Sequence, residues 1–256
     1  MATWADLDKE LEKWRACGRR PGFWWRDDDL TGPTRALDRL LGIAARRRVP
    51  LHLAVIPARI APDLARRLAS EPEAWVMQHG LAHINHEPKG RGASEVGESR
   101  SVSQKLQDLR SGWARLLAAR LPRTLPAFAA PWNRISDDAV AVMPDVGYRI
   151  LSTSHARQQA FAAPGLRQVN IHLDPTRWKG GAAFRGEERS LEILVTHLRQ
   201  RRTGEVDADE PTGLLTHHLQ TDEPTWNFVE ALIDRLTHAE AGRWERLDDM
   251  IPAEVA

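Results

Sequence analysis

The sequence predicts an α/β fold, a closed or nearly closed barrel of about seven parallel strands with the helices outside. Short apolar runs alternate with amphipathic stretches of helical period along the chain, and no linker rich in Pro, Gly or Ser divides its 256 residues. Strands that alternate with helices pair in parallel through right-handed crossovers. Roughly seven such units in about 250 residues suit a barrel better than an open sheet. We therefore expect one domain over residues 1–256.

The first predicted helix and the first predicted strand illustrate the two kinds of sequence pattern, helical spacing and a short apolar run. Thr3 and Asp6 resemble a capping box, and apolar residues at helical spacing follow until Gly18. The run GFWWRDD is predicted to be a buried strand, because it is short and aromatic and begins after Pro21. The other predicted helices lie at 34–48, 63–70, 101–120, 137–143, 187–201 and 225–237. The other predicted strands lie at 51–57, 74–78, 127–129, 148–153, 168–174, 213–217 and 244–250.

Composition excludes several classes of function. The 36 basic and 35 acidic residues nearly cancel, so no overall field favours a nucleic acid or an anionic membrane as partner. Cys17 is the only cysteine, which rules out an intramolecular disulfide and a thiolate metal cage. The N-terminus is acidic and has a helical period, unlike a signal peptide. We expect a cytoplasmic protein that acts on a small molecule or a carbohydrate; its oligomeric state is not predicted.

Polar clusters follow the predicted strands. They are the aspartates 27–29 after the first strand, residues 78–86 (QHGLAHINH) after the third, 130–134 (APWNR) after the fourth, and 216–218 (THH) after a late one. The carboxyl ends of barrel strands meet at one mouth, where reacting groups collect. The clusters are therefore expected to lie together. The polar segments 87–100 and 203–212 are both predicted to be mobile surface loops, and Glu210 is predicted to be solvated.

His79 and His83 have the spacing of two metal ligands one helical turn apart. A bare H-x-x-x-H is more often a pair of surface histidines, but an acidic cluster at a matching strand end favours a site of two His and one carboxylate. Three adjacent carboxylates at the end of a buried strand repel one another unless a cation is present. One aspartate is then expected to be a ligand and a neighbour to act as base toward water.

His217 and His218 end a late strand, where alternation turns only one of them toward the mouth. Histidine titrates near neutral pH, which suits a general acid that protonates a leaving group. His197, inside a predicted helix, is expected to be structural.

The segments RDDD, HGLAH, APWNR and LLTHH, in this order over residues 23–218, resemble the motifs of the polysaccharide deacetylases, carbohydrate esterases of the NodB type. The resemblance implies a distorted (β/α) barrel and a divalent metal, with Zn expected, held by one Asp and two His. It also implies an Asp base and a late-strand His as general acid. His79 and His83 match the metal pair in the H-G-x-x-H form, and His217 matches the acid.

The aspartates align with this family in two ways. An adjacent pair, base then ligand, gives Asp27 and Asp28, whereas the Asp-x-Asp of relatives with H-G-x-x-H gives Asp27 and Asp29. Because alternation puts Asp27 and Asp29 on one face of a regular strand, we expect Asp27 as base and Asp29 as metal ligand. Asp28 is the alternative ligand.

The arginine that orients the catalytic Asp in this family is replaced here by Ala129. Arg134 or Arg26 is expected to serve instead. Trp132 and Arg134 are expected to contact the substrate. No segment matches the family's fourth motif.

The resemblance implies a metal-dependent hydrolase of a non-peptide C–N bond, a deacetylase of an N-acetylated sugar or a related amide, with a role in carbohydrate metabolism. One alternative is a hydrolase that opens a small cyclic amide or imide on the same scaffold, which a cytoplasmic location favours. Another is a catalytically silent relative that binds carbohydrate or metal.

Overall fold

A computed structural model describes residues 2–238 and 241–251 of the chain. The helices are α1 Trp4–Ala16, α2 Arg35–Arg47, α3 Leu64–Leu68, α4 Val102–Ala118, α5 Asp137–Val146, α6 Glu187–Thr203 and α7 Glu223–Thr237. The strands are β1 Gly22–Leu30, β2 Leu51–Val55, β3 Ala74–His79, β4 Thr124–Ala129, β5 Ile150–Ser152, β6 Phe161–Ala163, β7 Leu166–Gln168, β8 Thr176–Arg177, β9 Ala183–Phe184, β10 Thr212–Thr216 and β11 Arg243–Trp244.

The main sheet has the order β10-β1-β2-β3-β4-β5-β7-β6, with β11 also paired to β1. Its strands pair in parallel except for the antiparallel hairpin of β6 and β7. Helices connect most of the neighbouring parallel strands, as is usual in α/β folds. The prediction of an α/β fold built on a mostly parallel sheet is confirmed.

The segment 169–173 connects β5 with β10, two strands that lie far apart in the order of the sheet. Val169 N–H donates to the carbonyl of Leu151, next to β5, and the carbonyl of Leu173 accepts from Leu215 N–H in β10. Single bridges, not a ladder, make both links. The predicted strand 168–174 is therefore regular only at its start. Part of the pairing is replaced by the side chain of Asn170, which accepts a hydrogen bond from Thr153 N–H.

Alternation along β1 places one tryptophan on each side of the sheet. Trp24 packs with inward residues of the neighbouring strands, such as Ala54 and Met77, whereas Trp25 lies in the layer between the strands and the helices. Both are fully buried, and both indole N–H groups have partners, the carbonyl of Asn170 and the Thr216 hydroxyl. Buried, hydrogen-bonded aromatic residues of this size hold a strand rigidly. The start of β1 is a fixed support for the aspartates that follow.

Three local expectations are wrong. The predicted strand 244–250 is strand only in β11, and a 3-10 turn, Asp248–Met250, follows. The segment 87–100 is not a free surface loop, because Glu87 and Glu95 are buried in it. Glu210 is buried instead of solvated, since its carboxylate accepts hydrogen bonds from two backbone N–H groups. Among the described residues, no helix has both the length and the apolar character needed to cross a bilayer.

Candidate metal and catalytic site

The end of β1 is kinked at Asp29. Pairing with β2 is regular up to Asp27, opposite Leu53, and resumes only at Leu30 after a shift of register. Asp29 has a φ of 69°, a left-handed conformation that aspartate tolerates better than most residues. The kink interrupts the alternation of side chains. The expectation that Asp27 and Asp29 share one face is therefore wrong, and the three carboxylates have three different sets of partners.

Asp29, His79 and His83 form the group that can hold a metal ion. Oδ1 of Asp29 lies 3.4 Å from Nε2 of each histidine, and the three donor atoms lie within 4.8 Å of one another. Two ligands of one tetrahedral ion lie about 3.3 Å apart. Oδ1 of Asp29 is buried and has no hydrogen-bond partner among the described residues. The donor set and this unpartnered oxygen fit a divalent ion.

Backbone contacts orient the first histidine. Nδ1–H of His79 donates to the carbonyl of Ala129 at 3.1 Å, which leaves Nε2 to face Asp29. Such a hydrogen bond fixes both the tautomer and the ring of a ligating histidine. Burial opposes a charge on His79, but the carboxylates of Asp28 and Asp29 outweigh it and raise the pKa of His79.

The pKa values of Asp29 and His83 are shifted by burial and by the neighbouring charges as well. Burial works against a charge on Asp29, yet its contact with His79 and the nearby histidines lower the pKa of Asp29. Burial, together with the charge of His79, lowers the pKa of His83. Asp29 is thus held as a carboxylate and His83 as a neutral ring, the forms that bind a metal.

Glu95 holds the loop that carries His83. Its Oε2 accepts from the N–H groups of Leu81 and His83, at 3.1 and 3.2 Å, and its Oε1 accepts from Ala82 N–H at 2.8 Å. The side chain is buried. Gly80 and His83 both have positive φ, so the loop curls tightly around the carboxylate. Glu95 could not be singled out from the sequence, because nothing local distinguishes it from the other acidic residues of a polar segment.

Asp28 lies beside the metal group and is held by Arg26. Arg26 Nη2 donates to Oδ2 of Asp28 at 2.9 Å and to Asn133 Oδ1 at 2.6 Å, and both charged residues are buried. Oδ2 of Asp28 is 3.9 Å from Nε2 of His79 and 3.9 Å from Nε2 of His217. Of the two arginines expected to orient a carboxylate, Arg26 is therefore the one in place.

The Asp27 side chain contacts Thr216 and His218 instead of the metal group. Its carboxylate accepts from the Thr216 hydroxyl at 2.6 Å and from the backbone N–H of His218 at 3.0 Å, and it pairs with Nδ1 of the same histidine. Burial opposes a charge on His218, but the Asp27 carboxylate raises its pKa. The geometry does not favour Asp27 as the base. As predicted, His217 and His218 turn to different sides, and His217 is the one near the metal group.

Two tryptophans flank the site. The Trp132 ring, carried on a residue with a φ of 54°, lies 4.1 Å from the His83 ring, and the Trp178 ring lies 4.6 Å from the His217 ring. Trp178 is 45% exposed, and its Nε1–H donates to Asp174 at 2.7 Å. An indole thus stands beside each of these two histidines, and that of Trp178 is open to solvent.

Arg134 lies farther out. Its Nη1 donates to the carbonyl of Ala93 at 3.3 Å, and its guanidinium is packed against Gly92. With Asn133 it lines a polar groove of about 860 Å³ next to the site. The structure therefore places Trp132 beside the metal group and Arg134 in the adjoining groove.

No family model and no curated protein matches the sequence. Solved structures do match it. One is a protein from Mycobacterium smegmatis assigned as a polysaccharide deacetylase, with a TM-score of 0.62 and 13% identity over 91% of this chain and 89% of that one. The chain has the polysaccharide deacetylase fold.

Two further structures with this fold differ in what they do. A family 4 acetyl xylan esterase from Clostridium thermocellum, in complex with cobalt, has a TM-score of 0.51 and 13% identity over 90% of this chain and 89% of that one. A family 4 pseudoenzyme from Bacillus anthracis has a TM-score of 0.57 and 14% identity over 91% of this chain and 66% of that one. The polysaccharide deacetylase fold thus occurs in enzymes and in a pseudoenzyme, so the reaction depends on the site residues.

Proposed function

We propose that this protein is a metal-dependent hydrolase of a non-peptide C–N bond, and that an N-acetylated sugar is its substrate. The observation that supports the proposal is the meeting of Asp29, His79 and His83 with a second pair, Asp28 and His217, at one edge of the sheet. Ligands for an ion, a base and an acid are the parts that amide hydrolysis needs. The matched deacetylase and esterase folds agree with it.

Asp29, His79 and His83 are the residues that hold the ion, and their nitrogen and oxygen donors suit Zn. A cobalt ion is present in the Clostridium thermocellum structure. When bound, a divalent ion supplies a Lewis acid for the amide carbonyl and makes water a better nucleophile. Glu95 keeps His83 in place, and the Ala129 carbonyl keeps Nε2 of His79 turned to the site.

Asp28 is the base in this proposal, in place of Asp27. Its Oδ2 faces the site, and Arg26 fixes its orientation through the buried contact. Asp28 takes the proton from the attacking water. His217, 3.9 Å away, donates a proton to the nitrogen as the C–N bond breaks. Each proton transfer contributes about 100- to 10,000-fold to the rate.

The ring of Trp132, beside His83, and that of Trp178, beside His217, offer two apolar surfaces on which a pyranose ring can pack. The adjoining groove, with Asn133 and Arg134, has polar groups for hydroxyls. A small cyclic amide is the second candidate substrate, because the histidine pair resembles the H-G-x-x-H form of relatives that act on peptidoglycan or on cyclic amides. The Bacillus anthracis pseudoenzyme makes a silent protein the third possibility.

The test is a panel assay with the Zn-loaded protein. Acetate release from N-acetylated oligosaccharides is measured beside ring opening of cyclic amides and imides. Acetate release supports a deacetylase and ring opening supports the second candidate, whereas neither product from any substrate supports a silent protein. His217→Ala should keep its metal and lose about 100- to 10,000-fold in turnover. The exposed His86→Ala is the matched control, and an active His217→Ala would remove His217 from the mechanism.

A further inference from the structure

A second pocket lies at the opposite edge of the sheet, where the strands begin. It includes Gly22, the first residue of β1, and has a volume of about 490 Å³. Three carboxylates line it, those of Asp209, Glu245 and Asp249. Six arginines line it as well: Arg19, Arg20, Arg157, Arg167, Arg201 and Arg243. Basic side chains therefore outnumber acidic ones in the lining, although the chain as a whole carries almost no net charge.

Arg201 is buried in this lining with only neutral partners. Its Nη1 donates to the Gly22 carbonyl at 3.0 Å and to the Thr212 hydroxyl at 2.9 Å, and its Nη2 donates to the Ala208 carbonyl at 3.1 Å. The side chain is 2% exposed, Nε has no partner, and no ion pair joins it to a described residue. A buried cation without a counter-ion is costly.

Two less buried guanidinium groups, those of Arg19 and Arg167, also form no ion pair with a described residue. Arg19 lies 5.0 Å from the ring of Trp14, and Arg201 lies 5.3 Å from the same ring, so two like charges share one indole. Burial, together with the charge of Arg19, lowers the pKa of Arg201 to about 10. Arg167 packs 5.1 Å from the Phe161 ring, and its buried Nε also lacks a partner.

Two of the three carboxylates that line the pocket are already engaged. Glu245 accepts from Arg243, and Asp249 accepts from Arg246. Burial raises the pKa of Glu210 to about 7, so this side chain is only partly ionised near neutral pH. Asp207 and Asp209 are near enough to raise the pKa of Arg201, but Asp207 is already paired with Arg157. No carboxylate of the described residues forms an ion pair with Arg19, Arg167 or Arg201.

We propose that this pocket binds a small molecule that carries a phosphate group. Guanidinium groups bind phosphate oxygens through paired, charge-assisted hydrogen bonds. A phosphate ester carries close to two negative charges at neutral pH, which suits several unpaired arginines better than a single carboxylate does. The volume lies within the range of small-ligand sites. The pocket is built from residues outside the metal group, so the inference does not depend on the proposed hydrolase activity.

The test is calorimetric titration with inorganic phosphate at constant ionic strength, with acetate as the comparison anion. Phosphate should bind more tightly than acetate. Arg19→Ala and Arg167→Ala should each weaken phosphate binding by about tenfold, because each removes one charge-assisted contact. Arg201→Lys keeps the charge but removes the planar guanidinium that donates paired hydrogen bonds, and it should weaken binding as well. Thermal melting of every variant checks the fold, and the two less buried positions keep the test valid if Arg201→Lys does not fold.

Arg110→Ala, at an exposed position of α4, is the matched control and should bind phosphate like the unaltered protein. His79→Ala should also leave phosphate binding unchanged. Equal binding of acetate and phosphate, full binding in Arg19→Ala and Arg167→Ala, or loss of binding in His79→Ala would each overturn the proposal. The last result would place the phosphate at the metal group.

Discussion

The carboxylate of Glu95 occupies the space into which a side chain at Gly80 would project. A Cβ at Gly80 would lie 1.8 Å from Oε2 of Glu95 and 2.6 Å from Cγ of Pro131. The φ of Gly80, 59°, also favours glycine. The glycine between the two histidines is thus required by a buried acid that contacts the loop but not the substrate. The position of His83 depends on this pair.

Glu95→Gln should weaken metal binding by about 10- to 100-fold, as loss of a contact that orients a ligand does. The carboxylate accepts from three backbone N–H groups, and an amide offers one oxygen and an N–H₂ group that cannot accept. Chelator competition measures the affinity. Glu98→Gln, an exposed change nearby, should have no effect. Unaltered affinity in Glu95→Gln would show that His83 is held without it.

Asp28→Asn and Asp27→Asn should separate the two candidate bases. Asp28→Asn should keep its metal and lose about 100- to 10,000-fold in kcat, because Asp28 faces His217. Asp27→Asn should lower the free energy of unfolding by about 3 kcal/mol, since it breaks a buried pair with His218, and should change kcat much less. Denaturant unfolding and steady-state kinetics give both quantities. The reverse pattern would restore Asp27 as the base.

His79→Ala should abolish stoichiometric metal binding while the fold remains, because it removes one of three ligands. Elemental analysis after dialysis gives the metal content, and circular dichroism checks the fold. His86→Ala, an exposed histidine seven residues along the chain, is the control. Full metal content in a folded His79→Ala protein would mean that the ion is held elsewhere.

His52 should make the protein less stable in mild acid. Its Nε2 accepts from Leu247 N–H and its Nδ1–H donates to the Trp25 carbonyl, so the buried ring is neutral. Burial lowers the pKa of His52 to about 4 from an ordinary 6.5. The unfolded chain therefore takes up the proton first, and the contribution of His52 is complete above pH 6.5. It is lost as the pH falls toward 4, by about 3 kcal/mol.

The measurement for His52 is the free energy of unfolding between pH 7 and pH 4, compared with His52→Gln. The variant should be less stable at pH 7 and should lose less stability over this interval. His86→Gln serves as an exposed control. Parallel pH profiles for His52→Gln and the unaltered protein would contradict the assignment.

Much of this arrangement could be predicted from the sequence, because parallel strands bring their carboxyl ends together. That rule placed His79, His83 and His217 near one another and near the aspartates. It failed where the local backbone departs from a regular strand, as at Asp29, whose positive φ accompanies a contact of Asp27 with His218 and leaves Asp28 beside His217. It could not find Glu95, which contacts residues 12 to 14 positions earlier. The two-residue strands β8 and β9 are too short for a periodic signal.

The kink in β1 makes three identical neighbours chemically unequal. Asp27 contacts Thr216 and His218 at the end of β10. Asp28 contacts Arg26, and Asp29 lies beside His79 and His83. A sequence alignment that is shifted by one position here still matches aspartate to aspartate, but it gives each aspartate the contacts of its neighbour. For chains with such a run of aspartates, the residue at which the backbone turns is therefore a better guide to equivalence than the order of the letters.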